Sequence, residues 1–211
     1  MRQFQGPEIM PVTRSICIYC GSQPGNRPVF VETATALGLA MAEAGIGLVY
    51  GGGAKGIMGA VADAVLAGGG EVTGVIPQFL IEKESSGDSL TRLTRTIVTA
   101  DMHERKHTMF ELSDAFVALP GGIGTLEEIV EVMTWGQLGR HSKPICLANV
   151  EGFWNPFLEL LGEMGGTGFI HTASKVKPLV LSQVGEIVPA INSAWAHSTA
   201  GEGDAGVIAR L

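Results

Sequence analysis

Short, almost wholly apolar runs alternate along this chain with longer segments whose apolar residues recur at helical spacing. Clusters of glycine stand at the changeovers. The runs 15–20, 46–50, 72–76, 97–100, 115–119 and 143–149 read as strands, with 176–181 as a last short one. Between them, 28–44, 57–67, 102–112, 124–138, 155–163 and 184–195 read as helices, the first with Pro28 at its opening turn. Strands that are apolar at every position belong to parallel sheets covered on both faces. The expected fold is therefore α/β, a doubly wound parallel sheet with helices on both faces, in one domain over 14–195. Residues 1–13 and 197–211 lack the pattern and are expected to be flexible termini, and the polar stretch 77–96 reads as an exposed or ligand-gated loop.

In such a sheet ligands sit beyond the C-terminal ends of the strands. That edge would gather Ser22, the loop of Gly51, Gly52 and Gly53, Asp101, and the loop Gly121 to Gly124. The stretch after the 115–119 strand, Pro120-Gly-Gly-Ile-Gly-Thr-Leu-Glu-Glu128, is the most informative. A chain that leaves a strand, turns without side chains and enters a helix offers unpaired backbone N–H groups to an anion. Thr125 is the expected cap of that helix. Glu127 and Glu131 are spaced i,i+4 on one face, and Glu128 lies between them and the core stripe. Helix-dipole complementarity explains some of these acids; a catalytic carboxylate is the alternative.

Charge narrows the partners. With 14 basic and 21 acidic residues the net charge is −7, and no Lys/Arg block offsets it, so nucleic acid is not an expected partner. Neither a signal-like opening nor an apolar run of about 18 residues is present, so no membrane segment and a cytoplasmic location are expected. Three cysteines make no disulfide framework. Cys17 and Cys20 form a C-x-x-C, but within a strand they point to opposite faces, so both read as buried thiols.

Two further motifs need weighing. His103-Glu-Arg-Lys-His107 matches the zinc string H-E-x-x-H, yet two cations separate the histidines and few others could complete a site, so no metal is expected. Arg105 is more informative, since a cation near a helix N-terminus opposes the dipole. It is either functional or a solvated charge held by Asp101 or Glu104. Gly51-x-Gly53-x-x-Gly56 has dinucleotide spacing, but no acid for a ribose follows the next strand, which disfavours a nicotinamide cofactor. Two anion cradles, a cation and a carboxylate suit cleavage of an N-glycosidic bond in a phosphorylated nucleoside, with no cofactor. The alternative is a non-catalytic nucleotide-binding or sensing protein on the same fold.

These residues resemble a known family, the LONELY GUY phosphoribohydrolases. Pro120 to Glu128 is similar to its P-G-G-x-G-T-x-x-E signature, Met102-His-Glu-Arg-Lys106 to its M-H-x-R-K segment, and Gly51 to Gly59 to its G-G-G-x-x-G-x-M-G loop. Tyr19-Cys-Gly-Ser22, Thr134 to Gly139 and Lys143-Pro-Ile continue the likeness. The resemblance implies a Rossmann-like homodimer that hydrolyses N6-isoprenoid adenosine 5′-monophosphates, and in some members AMP, to free base and ribose 5-phosphate. By motif position it implies Arg105 and Glu128 as the catalytic pair. Ser22, Gly51, Gly52, Gly53, Gly121, Gly122, Gly124 and Thr125 would bind phosphate, and Met102 and Lys106 would line the base and ribose. The older name of the family, lysine decarboxylase, finds no support in any lysine of this sequence. Gln23 and the 82–95 segment depart from the family pattern, which bears on the preferred N6 substituent.

Overall fold

The computed structural model describes residues 14–84, 87–170 and 177–201. Seven strands form one sheet: β1 (Ser15–Tyr19), β2 (Gly47–Tyr50), β3 (Val72–Pro77), β4 (Arg95–Thr99), β5 (Ala115–Ala118), β6 (Ile145–Ala148) and β7 (Leu179–Leu181). Their order is β4-β3-β2-β1-β5-β6-β7, and every pairing is parallel. The helices are α1 (Pro28–Glu43), α2 (Gly56–Ala67), α3 (Ile81–Glu84), α4 (Gly87–Thr91), α5 (Met102–Glu111), α6 (Ile123–Gln137), α7 (Asn155–Gly166) and α8 (Ile187–Gly201).

The alternation of side chains along β1 shows why both faces must be covered. Ile16 and Ile18 enter one core with Leu37 and Met41 of α1, Val61 of α2 and Ile191 of α8. Cys17 and Tyr19 enter the other, with Met109 and Phe110 of α5, Ile129 and Val132 of α6, and Trp154. Each fully buried aliphatic side chain contributes about 1.5–3 kcal/mol. α1 and α2 approach so closely that a Cβ at Gly38 would lie 2.7 Å from the Val61 carbonyl oxygen, which explains a glycine inside a helix.

Topology places the site. The chain steps outward from β1 to β4, returns, and lays β5 on the other side of β1. Asp114 fixes the return, its N–H donating to the Ser15 carbonyl at 2.8 Å and its carboxylate accepting from Ser15 N–H at 2.9 Å. The order therefore reverses between β1 and β5, and a crevice opens beyond their C-terminal ends.

The structure departs from the sequence reading in two places. The 77–96 loop is partly helical, with a 3-10 turn at Gln78–Leu80 followed by α3 and α4, and β4 begins at Arg95. The polar residues there carry no apolar periodicity that could reveal such short helices. The 197–211 tail is helical as far as Gly201, while 1–13 and 202–211 lie outside the described residues, as does position 176 of the last expected strand.

Candidate active site

Three loops meet at the C-terminal edge of the sheet, and their backbones interlock. Gly21, after β1, donates its N–H to the Pro120 carbonyl at 3.1 Å, and its own carbonyl accepts from Met58 N–H of α2 at 3.3 Å. Gly56 adopts φ +60°, and a Cβ there would lie 2.5 Å from the Ser22 carbonyl oxygen. Ser22 itself is exposed at the crevice, and Gly51, Gly52 and Gly53 are buried behind it.

α6 begins at the switch point. Gly122 is its N-cap, and the Gly122 carbonyl accepts from Leu126 N–H at 3.1 Å. The helix thus starts two residues before Thr125, which is not the cap expected from sequence. Thr125 is buried inside the first turn, against Gly121, where a Cβ would collide with its hydroxyl at 2.1 Å. Gly122 and Gly124 are exposed and have nothing within 4 Å of a would-be Cβ. The first amides of α6 lack intrahelical acceptors and stand unscreened, which suits an anion.

Arg105 is 4% exposed. Its Nε donates to the Val75 carbonyl at 3.2 Å and its Nη2 to the Gly51 carbonyl at 3.1 Å, while Nη1 lies 3.7 Å from the Met102 sulfur. The acids thought able to hold it are otherwise engaged. Asp101 caps α5, accepting from Glu104 N–H at 2.9 Å, and Glu104 accepts from Ala100 N–H at 2.7 Å. This reciprocal capping also occupies the glutamate of the H-E-x-x-H string, whose two histidines are exposed. Among the described residues no three His, Cys, Asp or Glu side chains converge to hold a metal. Main-chain carbonyls thus orient the buried guanidinium, and a charge so placed calls for an anionic counterpart.

Glu128 is 8% exposed on α6. Its charge acts on the end of β1: burial and then Glu128 push the Cys17 and Cys20 thiols up, and burial, Cys17 and Glu128 do the same to the Tyr19 phenol. Arg105 opposes Glu128 at Cys17. The acid and the cation therefore sit about the same buried strand end, beside the α6 amide cradle.

Residues 58–191 match the family described as "Possible lysine decarboxylase". The chain is 50% identical over 155 residues to the probable cytokinin riboside 5′-monophosphate phosphoribohydrolase LOGL1 of Oryza sativa, covering 74% of this chain and 68% of that protein. Against the cytokinin riboside 5′-monophosphate phosphoribohydrolase LOG1 of Arabidopsis thaliana it is 45% identical over 168 residues, covering 80% and 78%. The chain belongs to this phosphoribohydrolase family. The fold is shared more widely: the molybdenum cofactor binding protein of Rippkaea orientalis superposes with a TM-score of 0.66 at 21% identity, covering 87% of this chain and 98% of that one.

Within this phosphoribohydrolase chain the residues expected to act together do converge on one edge: Ser22, Gly51 to Gly53, Met102, Arg105, Gly121 to Thr125 and Glu128. Lys106 has other company. Its ammonium lies 2.6 Å from Glu127 Oε1 and 3.1 Å from Glu131 Oε1, with the lysine side chain 11% exposed. Burial works against its charge, but the hydrogen bonds to Glu127 and Glu131 outweigh that and hold it above the ordinary lysine range. The i,i+4 spacing of the two glutamates was the only trace of this contact in the sequence. Nothing in the sequence showed that main-chain carbonyls would seat Arg105, or that Tyr19 and both strand-end thiols would lie in the field of Glu128. No helix among the described residues is long and apolar enough to cross a membrane.

Proposed function

We infer that this chain hydrolyses the N-glycosidic bond of adenosine 5′-monophosphates, including N6-modified ones, giving the free base and ribose 5-phosphate. The observation that carries this is a buried carboxylate and a buried guanidinium, Glu128 and Arg105, about an open helix N-terminus at the switch point. The amides of Gly122 to Thr125, with Ser22 and the Gly51 to Gly53 loop, anchor the 5′-phosphate and leave C1′ facing the acid. Glu128 stabilises positive charge on the ribose as the C1′–N9 bond breaks and orients the water that adds to C1′. Arg105, with Met102 beside it, holds the nucleotide and assists departure of the base. Overall, one proton passes from water to the leaving base.

The test is direct: AMP and its N6-isopentenyl derivative are incubated with the protein, and free base and ribose 5-phosphate are measured. Glu128→Gln should lower kcat by about 10²-fold or more with the fold intact. Near-normal turnover by that variant would remove the acid from the mechanism, and binding of AMP without turnover by the unaltered chain would replace hydrolysis by a carrier role.

The finer partner reading is a homodimer through the α6–α7 face. Apolar cavities of about 480 and 470 Å³ follow one another along the groove between these helices. Ile123, Val130 and Leu160 on it are 82%, 41% and 50% exposed, more than a monomer needs to leave in water. Sedimentation should give a dimer, and Val130→Asp with Leu160→Asp a monomer. A cytoplasmic location is the setting that three free, buried thiols favour.

A further inference from the structure

We propose that Lys106 is a positioning residue: by clamping Glu127 and Glu131 it locks α5 to α6 and shields Glu128 from their charge. This rests on the phosphoribohydrolase reading above. The clamp joins neighbours of the two residues that matter, since Lys106 follows Arg105 and Glu127 precedes Glu128. The lysine side chain is 11% exposed and both carboxylates are on its ammonium, at 2.6 and 3.1 Å. A lysine held by two acids has little charge left to offer a phosphate, and its position between two helices sets their spacing rather than the substrate's.

The electrostatic side is as direct. Glu127, Glu128 and Glu131 put three carboxylates within five residues of α6, and like charges at helical spacing repel. Glu128 acts on Cys17, Tyr19 and Cys20 of β1, which carry no compensating charge; from α5, Arg105 opposes it at Cys17, and Lys106 pairs with Glu127 and Glu131. Arg105 opposes Glu128 at Cys17, while Lys106 answers the other two acids. Without Lys106, the charges of Glu127 and Glu131, 52% and 27% exposed, would act on the catalytic carboxylate uncompensated.

The experiment compares the unaltered chain, Lys106→Met, Lys106→Arg and the double variant Glu127→Gln/Glu131→Gln, with AMP as substrate. Circular dichroism and thermal melting monitor the fold. Lys106→Met should lower kcat about tenfold or more with KM changed less than about threefold, the pattern of a misplaced transition-state contact. It should also move the acid limb of kcat/KM to higher pH by about half a unit to one unit, as an added negative charge at this range requires. A lysine that only held the helices together would not move that limb. Lys106→Arg, which keeps the charge and can reach both acids, should recover most of kcat and return the limb. Adding Glu127→Gln/Glu131→Gln to Lys106→Met should return the limb even if kcat stays low.

If Lys106 instead contacts the nucleotide, Lys106→Met raises KM tenfold or more with kcat preserved, and Glu127→Gln/Glu131→Gln tightens binding by freeing the ammonium. Either result overturns the proposal. Should Lys106→Met fail to fold, the Glu127→Gln/Glu131→Gln variant decides: loss of kcat at constant KM supports the clamp, and tighter AMP binding refutes it. An unaltered chain inert towards AMP and its N6-isopentenyl derivative defeats the parent reading, whereas an active chain indifferent to Lys106→Met defeats this one alone.

Discussion

Replacing Gly51 by alanine tests whether main-chain contacts really seat Arg105. A Cβ at this position would stand 2.0 Å from Nη2 of Arg105, where ordinary contact begins at 3.4 Å. Gly52 next to it has φ +76° and lies against the Ile76 side chain, where an added Cβ would stand 3.1 Å from Ile76 Cβ. The guanidinium is the part that yields, being the far end of a long side chain. It then gives up the 3.1 Å hydrogen bond to the Gly51 carbonyl. A hydrogen bond involving a charged group contributes about 1.5–3 kcal/mol. For a chain of this length, at about 2–4 °C per kcal/mol, that corresponds to a fall in Tm of about 3–12 °C. A displacement near 1 Å at a reacting centre costs about 10²-fold in kcat. Gly53→Ala is the comparison for stability, because there the Cβ would meet the Met58 side chain, its sulfur at 2.7 Å and its Cβ at 3.5 Å, and a thioether swings aside at small cost. Calorimetry gives Tm, and release of adenine from AMP gives kcat. If Gly51→Ala keeps the unaltered kcat, the seating of Arg105 is not what the site depends on.

Gly122→Ala and Gly124→Ala should leave Tm within about 2 °C, because no atom lies within 4 Å of either Cβ, while raising KM for AMP by intruding on the amide cradle; thermal melting and initial rates on the same samples check this. Acidification should act through His141, whose Nε2 lies 2.9 Å from the Val132 carbonyl and whose Nδ1 accepts from Lys143 N–H at 3.1 Å. Burial, and then the nearby Lys143 charge, depress its pKa against the opposing Val132 bond, so the folded state binds fewer protons than the unfolded state. That contribution to stability is complete above the unfolded value of about 6.5 and is lost as pH falls through the lower folded value. Denaturant titrations at several pH values, compared with His141→Gln, should show the variant losing less stability between neutrality and pH 5; equal losses would refute the assignment.

The strands were legible because a strand buried on both faces has few polar positions to confuse its reading, and the glycine clusters marked where each one ends. Residues along β1 pointed the expected ways, Cys17 into one core and Ile18 into the other. The cap of α6 was misjudged because glycines at 122 and 124 argue locally against helix, while the docking of Thr125 beneath Gly121 is a tertiary contact. The candidate site was legible as a set of loops, since topology alone gathers strand ends at one edge. Its electrostatics were not. Whether Arg105 is solvated or buried depends on carbonyls from β3 and from the loop after β2, 30 and 54 residues away. Lys106 depends on acids 21 and 25 residues away, and no local pattern reports such meetings.

The insertion of β5 beside β1 also governs when the crevice can come into being. Ser15 and Asp114, which fix the register of these strands, are 99 residues apart, so the cradle is closed by one of the most distant pairings in the chain. Loop closure of that length must precede the contacts that reward it, and folding should be slow for a domain of this size. As the chain emerges during synthesis, β1 to β4 can pair first, leaving one edge of β1 unpaired and both its faces apolar. Until β5 arrives, that edge is a template for any other extended strand, including the same strand of a neighbouring nascent chain. Competence to bind nucleotide and protection from aggregation would then be acquired in a single event, the docking of β5.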